Sequence, residues 1–320
     1  MKNHRTIHIW PVYVAVFAAL VSGCAGGNAG KERPFPYVTV PGVITDGAEA
    51  AEFLGEHFWD DFMDTTEVFL CDSSHVNGVI DRDFEQAFAD YAGILGMLPL
   101  EDAEQAVEDL YIRSEAFERH DSSTNVFEET AALAEKYLYD PNSPFRNENM
   151  YFRFVDGLAE YTGFTDVQRA AYRRTADMCS LNMIGCPATD FEFSDRSGKV
   201  YSLYGIKADY TLLFFSNPGC EACMRIINIL DNDMSVRALI SEGRLAVVNV
   251  YIDEDVASWY SYMKVYPESW YNGYDHNLSI RTGTLYDVRA IPSLYLLDRD
   301  KKVLLKDAPE KIVFAAIDSL

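Results

Sequence analysis

Cys220-Glu221-Ala222-Cys223 are the residues of this sequence best suited to chemistry. A thiolate attacks a disulfide sulfur, and a second thiol close by resolves the mixed disulfide. The flanking residues say where such a pair must sit. Residues 210–216 are an apolar run of the kind found in a buried central strand. Asn217-Pro218-Gly219 is a turn, and residues 224–230 carry the apolar period of a helix. Cys220 therefore falls at a helix N-terminus, where unpaired N–H groups and the helix dipole stabilise a thiolate. Cys223 falls one turn later on the same side, within disulfide reach. This order makes Cys220 the nucleophile and Cys223 the resolving thiol. Two other readings compete. A zinc site needs two further ligands, and there is no second such pair, although His276 is available. A purely structural bridge needs nothing more.

The elements around the pair follow a recognisable order. Residues 191–193 and 200–203 alternate in polarity around Ser197-Gly198, a hairpin signal. Residues 245–252 are a second apolar strand, ending at Asp253-Glu254-Asp255. Arg289-Ala290-Ile291-Pro292 precedes a third strand at 293–297. A turn at 298–301 leads into 302–305, and 309–319 closes as a short helix. From about residue 186 to 320 this resembles the thioredoxin-like fold, specifically the TlpA-like extracytoplasmic reductases and peroxidase-related proteins. The resemblance implies an α/β domain with a central mixed sheet flanked by helices. It also implies that the Ile291–Pro292 bond is cis and abuts the cysteine pair, which adds Pro292 to the site. The sequence departs from the family at several points. Gly219 stands where Trp is common, and Glu221-Ala222 where Gly-Pro is common. Phe214 replaces the buried acid of thioredoxin, so no proton acceptor for Cys223 is identified. Leu213 and Asn217 replace the Pro and Thr that a peroxiredoxin requires.

Residues 48–185 read differently. Helical periodicity covers about 48–62, 83–98, 101–119, 125–139, 148–161 and 165–181. Asn125 with Glu128, and Thr165 with Gln168, have the spacing of capping boxes. Residues 140–144, with two prolines, form a turn. Five or six amphipathic helices with short connections imply an all-α bundle. Its aromatic residues are core material, and His57, His75 and His120 lack metal-ligand spacing. The half holds no evident chemistry and reads as a recognition, packing or partner-binding module. The whole chain resembles bacterial lipoproteins that place a helical domain of unknown function before a thioredoxin-like domain.

The first residues supply an address. Lys2, His4 and Arg5 precede an apolar run over 7–21, too short for a comfortable membrane span. Val21-Ser22-Gly23-Cys24 then resembles a bacterial lipobox, which makes 1–23 a signal peptide and Cys24 the lipid acceptor. Residues 24–47 read as a flexible tether. No later apolar run approaches 18 residues, so the lipid is the expected membrane attachment. The formal net charge of −23 argues against a nucleic-acid partner. The acid is concentrated in residues 25–187, net −20, against −5 for 188–320, which suggests a domain boundary near 187. Cys71, Cys179 and Cys186 remain, either with two of them bridged or all as free thiols.

Together these readings give an expectation. The chain is a lipid-anchored extracytoplasmic thiol–disulfide oxidoreductase, with the outer membrane favoured. It takes protein disulfides as substrates, draws on a separate electron donor and uses no cofactor. Glu221 beside Cys220 opposes the thiolate, so reduction or isomerisation is expected rather than strong oxidation. The alternative is a binding lipoprotein, in which the helical domain captures a partner and the thioredoxin-like fold is a scaffold.

Overall fold

The computed structural model describes residues 30–320, so the expected signal peptide, residues 1–23, and the expected lipid acceptor Cys24 lie outside the described residues. The first half is built from α1 (Gly47–His57), α2 (Asp81–Leu95), α3 (Leu100–His120), α4 (Val126–Ala134), α5 (Glu148–Glu160) and α6 (Asp166–Cys179). A small hairpin, β1 (His75–Val76) and β2 (Val79–Ile80), is set between α1 and α2. The helices converge on an aromatic core in which Trp59, Phe62, Phe84, Phe88 and Tyr91 are buried. Thr165 and Gln168 form the capping box that their spacing implies. Asn125 and Glu128 do not. The Asn125 amide instead donates to the carbonyls of Asp72 and His75, at 3.0 and 3.1 Å, and ties α4 to the hairpin. After α4 the helix widens into one π-helical turn, Glu135–Tyr139.

Part of the expected tether is packed. Phe35 is only 6% exposed, with its ring 5.3 Å from that of Phe62 and 5.5 Å from that of Phe58. The Arg33 guanidinium donates to the carbonyls of Phe62 (2.7 Å) and Asn77 (2.9 Å). These two side chains hold the described start of the chain against the helices. An apolar ring that can be buried does not stay in solvent because prolines flank it.

The second half holds a seven-stranded sheet in the order β4-β3-β7-β6-β5-β8-β9. Its strands are β3 (Glu192–Ser194), β4 (Val200–Ser202), β5 (Tyr210–Phe215), β6 (Leu245–Tyr251), β7 (Tyr271–Tyr274), β8 (Ser293–Leu297) and β9 (Val303–Leu305). β5, β6 and β7 run parallel, and β8 lies antiparallel beside β5. Side chains alternate between the faces of β5. Leu212 and Phe214 join the core beneath α7 (Glu221–Asn232), α8 (Met234–Ser241), α9 (Val256–Tyr262) and α11 (Glu310–Asp318). Leu213 and Phe215 join the opposite core, which includes Phe191, Tyr286 and Ile280 of α10 (Ser279–Thr282).

One strand was hidden by its composition. β7 contains Asn272-Gly273, a dipeptide that ordinarily marks a turn. A Cβ at Gly273 would lie 2.4 Å from the Phe193 ring, so only glycine lets β3 and β7 approach. Asn272 is buried and accepts from the Asn249 amide at 3.0 Å, which satisfies it inside the sheet.

Phe35→Ala removes an aromatic ring from a well-filled site. It is expected to lower the unfolding free energy by about 3 kcal/mol. Chemical denaturation of the two proteins side by side checks this, and an unchanged midpoint would return the segment to a passive tether.

Candidate functional site

β5 ends at Phe215, and the chain turns at once into the cysteine pair. Pro218 and Gly219 form the middle of this turn, with φ +76° at Gly219 and the Cys220 N–H donating to the Asn217 carbonyl at 3.3 Å. Proline then glycine at positive φ is the requirement of a type II turn. The turn delivers Cys220 as the N-cap residue of α7. Its sulfur accepts from the Cys223 N–H at 3.1 Å, a direct contact with the positive end of the helix. Cys220 and Cys223 are joined in a disulfide, with their Cα atoms 5.3 Å apart. Cys223 is fully buried, while Cys220 keeps partial exposure. An incoming sulfur can therefore reach only Cys220.

Pro292 lies at the same end of the sheet. The Ile291–Pro292 peptide bond is cis. Ser293, the next residue, opens β8 opposite Phe215, the last residue of β5. Ile291 and Cys220 border one apolar cluster, which contains Cys223 and Leu294. Phe214 belongs to this cluster and is fully buried, so apolar surface occupies the position where thioredoxin has its acid.

The surroundings of the disulfide carry little positive charge. Glu221 is exposed in the first turn of α7, and Arg225 one turn on is paired with Glu310 at 3.2 Å. A shallow groove of about 550 Å³ opens beside the disulfide, lined by Gly219, Met224, Ile229 and Tyr262 among others. A larger cavity of about 720 Å³, lined by Leu245 and Tyr271, lies at the other end of the parallel strands and includes neither cysteine. His276 accepts or donates at Ser194, 3.0 Å away on β3, which accounts for its placement. Cys71, Cys179 and Cys186 are free thiols. Burial pushes the Cys179 thiol far above its ordinary range, so it is inert as a nucleophile.

Residues 17–182 match a family described as a domain of unknown function (DUF5106), and residues 207–303 match a thioredoxin-like family. The crystal structure of a thioredoxin-like protein from Bacteroides caccae superposes with a TM-score of 0.78 at 34% identity. The match covers 90% of this chain and 99% of that one. This chain belongs to the thioredoxin-like proteins that carry a DUF5106 domain. The C-terminal domain of an uncharacterized protein from Bacteroides fragilis is 40% identical, over 43% of this chain and 98% of that one, with a TM-score of 0.41. No curated protein matches the chain.

In this member of the family the helical and thioredoxin-like domains share a buried charge cluster, for which the residue pattern carries no signal. Glu148, the first residue of α5, pairs with Lys306 at 2.7 Å and with Arg289 at 2.7 Å. Glu148 and Lys306 have side chains only 1% exposed. Arg289 also reaches Asp307 (3.4 Å) and Asp287 (3.5 Å), and Arg146 lies 3.5 Å from Asp307. Three acids thus face three bases, which a buried site requires. Lys306 also donates to the Cys179 carbonyl at 2.6 Å. The connecting residues 185–188 add hydrogen bonds to β9 and Lys301, which closes the junction.

Burial pushes the Asp307 carboxyl up to about 6; Arg146 pulls it down and Glu148 pushes it further up. The folded chain holds this proton more tightly than the unfolded chain, where the ordinary value is 3.8. The resulting stability is complete below about pH 4 and is lost as pH rises through about 6. Asp307→Asn does not titrate. Relative to that variant, the wild-type protein is expected to lose up to about 3 kcal/mol between pH 4 and 7. Denaturant unfolding across this interval checks it, and a relative gain would reverse the sign.

Proposed function

We propose that this chain is a membrane-tethered, extracytoplasmic thiol–disulfide oxidoreductase that reduces or isomerises protein disulfides. The observation that carries the reading is the asymmetric disulfide at the start of α7, with Cys220 accessible and Cys223 buried. In the reduced protein the Cys220 thiolate attacks one sulfur of a client disulfide. A Cys220–client disulfide forms, the client S–S bond breaks, and the departing client sulfur takes up a proton. Cys223 then gives up its proton and attacks the Cys220 sulfur. The Cys220–Cys223 disulfide forms and the second client thiol leaves. The client gains two electrons and the protein loses two. A dithiol protein outside the cytoplasm must return them.

The direction of flow follows from the charges. A strong oxidant stabilises its nucleophilic thiolate, and so its reduced form. Here the helix N-terminus stabilises Cys220, but the only charged side chain of the first turn is the Glu221 carboxylate. Arg225 is committed to Glu310. A reduction potential nearer about −270 mV than about −120 mV is the consequence. Pro292, at the same end of the sheet as Cys220, would shape the surface on which a client strand lies. The membrane tether rests on the lipobox-like residues 21–24. Among the described residues no helix is long and apolar enough to cross a membrane.

Cys220→Ser is expected to abolish reduction of a disulfide-containing test peptide. Cys223→Ser should accumulate a mixed disulfide with that peptide, visible by mass spectrometry without reductant. Equal trapping by both variants would overturn the assigned polarity. Cys24→Ala is expected to move the protein from the washed membrane fraction to the soluble one. Its retention on membranes would show that the apolar segment is an uncleaved anchor.

A further inference from the structure

Residues 283–292 lead to β8 without helix or strand, yet Ile291 packs against the apolar cluster that Cys220 also borders and that contains Cys223, and Pro292 follows it. A segment of this kind keeps one geometry only if its side chains are anchored. Tyr286 anchors its start, with its hydroxyl donating to the Thr189 carbonyl at 2.6 Å. Close to Pro292 the anchor is Arg289, whose side chain is 12% exposed. Two of its partners belong to the other domain. The guanidinium stacks on the Tyr139 ring at 3.9 Å and donates to the Tyr139 carbonyl. It also meets the Glu148 carboxylate at 2.7 Å. Glu148 is itself buried. It opens α5, where the helix dipole favours an acid, and Lys306 holds its second oxygen.

We propose that Glu148 of the helical domain is a positioning residue for the redox site, holding Arg289 and through it the Ala290-Ile291-Pro292 segment beside Cys220. The proposal rests on the oxidoreductase reading. It gives the helical domain a part in the chemistry without requiring it to touch a client. A polypeptide whose sulfur reacts at Cys220 must lie against Ile291 and Pro292. A loosened segment therefore weakens client binding before it affects sulfur exchange. Neither Glu148 nor Arg289 touches either cysteine, so the chemical step itself should survive.

The test uses the full chain. Glu148→Gln is combined with Lys306→Met, which removes one charge of each sign and keeps the cluster balanced. Arg289→Lys is made in parallel; it preserves every charge but cannot bridge Tyr139 and Glu148 together. Two readouts are taken, amide hydrogen exchange and steady-state reduction of a disulfide-containing test peptide. Exchange over 286–293 is expected to rise about tenfold or more, with 210–215 unchanged. KM is expected to rise about tenfold, with kcat within about twofold of wild type. Unchanged exchange at 286–293 overturns the proposal. So does faster exchange with unchanged KM, because the segment would then be anchored to no functional end. A wild-type chain that reduces no disulfide would instead refute the oxidoreductase reading, and the exchange measurement alone would still decide whether Glu148 positions the segment.

Discussion

Phe215 lies opposite Ser293 in the central sheet, and the candidate site depends on that pairing. Cys220 is five residues beyond one and Pro292 immediately before the other, so the register of β5 and β8 brings them to one end of the sheet. The register is strongly specified. Leu212 and Phe214 face one core while Leu213 and Phe215 face the other, and all four are fully buried. A slip of one residue would exchange the faces and mismatch both cores. The position of the chemistry is thus set by apolar packing, and the cysteines need only the correct turn. Pro218 and Gly219 supply it.

A second constraint joins the two halves of the chain. Burying six charges is tolerable only when they pair, and here they come from both domains. Glu148 and Arg146 belong to the helical side, while Asp287, Arg289, Lys306 and Asp307 belong to the thioredoxin-like side. Each side is neutral by itself, but separating the domains would strip Glu148 of Arg289 and Lys306, and Arg146 of Asp307. The helical domain therefore packs, through Tyr139 and Glu148, against Arg289 of the segment that carries Pro292.

Much of this was legible beforehand because it depends on local pattern. The apolar run of β5, the turn residues and the period of α7 placed Cys220 at a helix N-terminus. Thr165 and Gln168 announced their capping box. What stayed hidden depends on contacts between distant residues. β7 escaped because Asn272-Gly273 has a turn composition, and its reason for being a strand is the ring of Phe193, about eighty residues away in sequence. Asn77-Gly78 has the same composition and does form a hairpin turn, with positive φ at both residues. Composition alone cannot separate the two cases. Phe35 reads as part of a tether because its neighbours are prolines, and Asn125 reads as a cap that the distant Asp72 and His75 carbonyls outcompete. The charge cluster left no signal, since Glu148, Arg289 and Lys306 are ordinary charged residues until the domains meet.

An oxidoreductase of this design requires that Cys220 and Cys223 form a working redox couple. Equilibration of the purified protein across a range of glutathione potentials, with free thiols alkylated and the mass change read, tests it directly. One reversible transition of two electrons is expected, in which the ratio of reduced to oxidised pair changes tenfold for about 30 mV. A disulfide that stays oxidised through the whole range would contradict it, and would mark the bridge as structural.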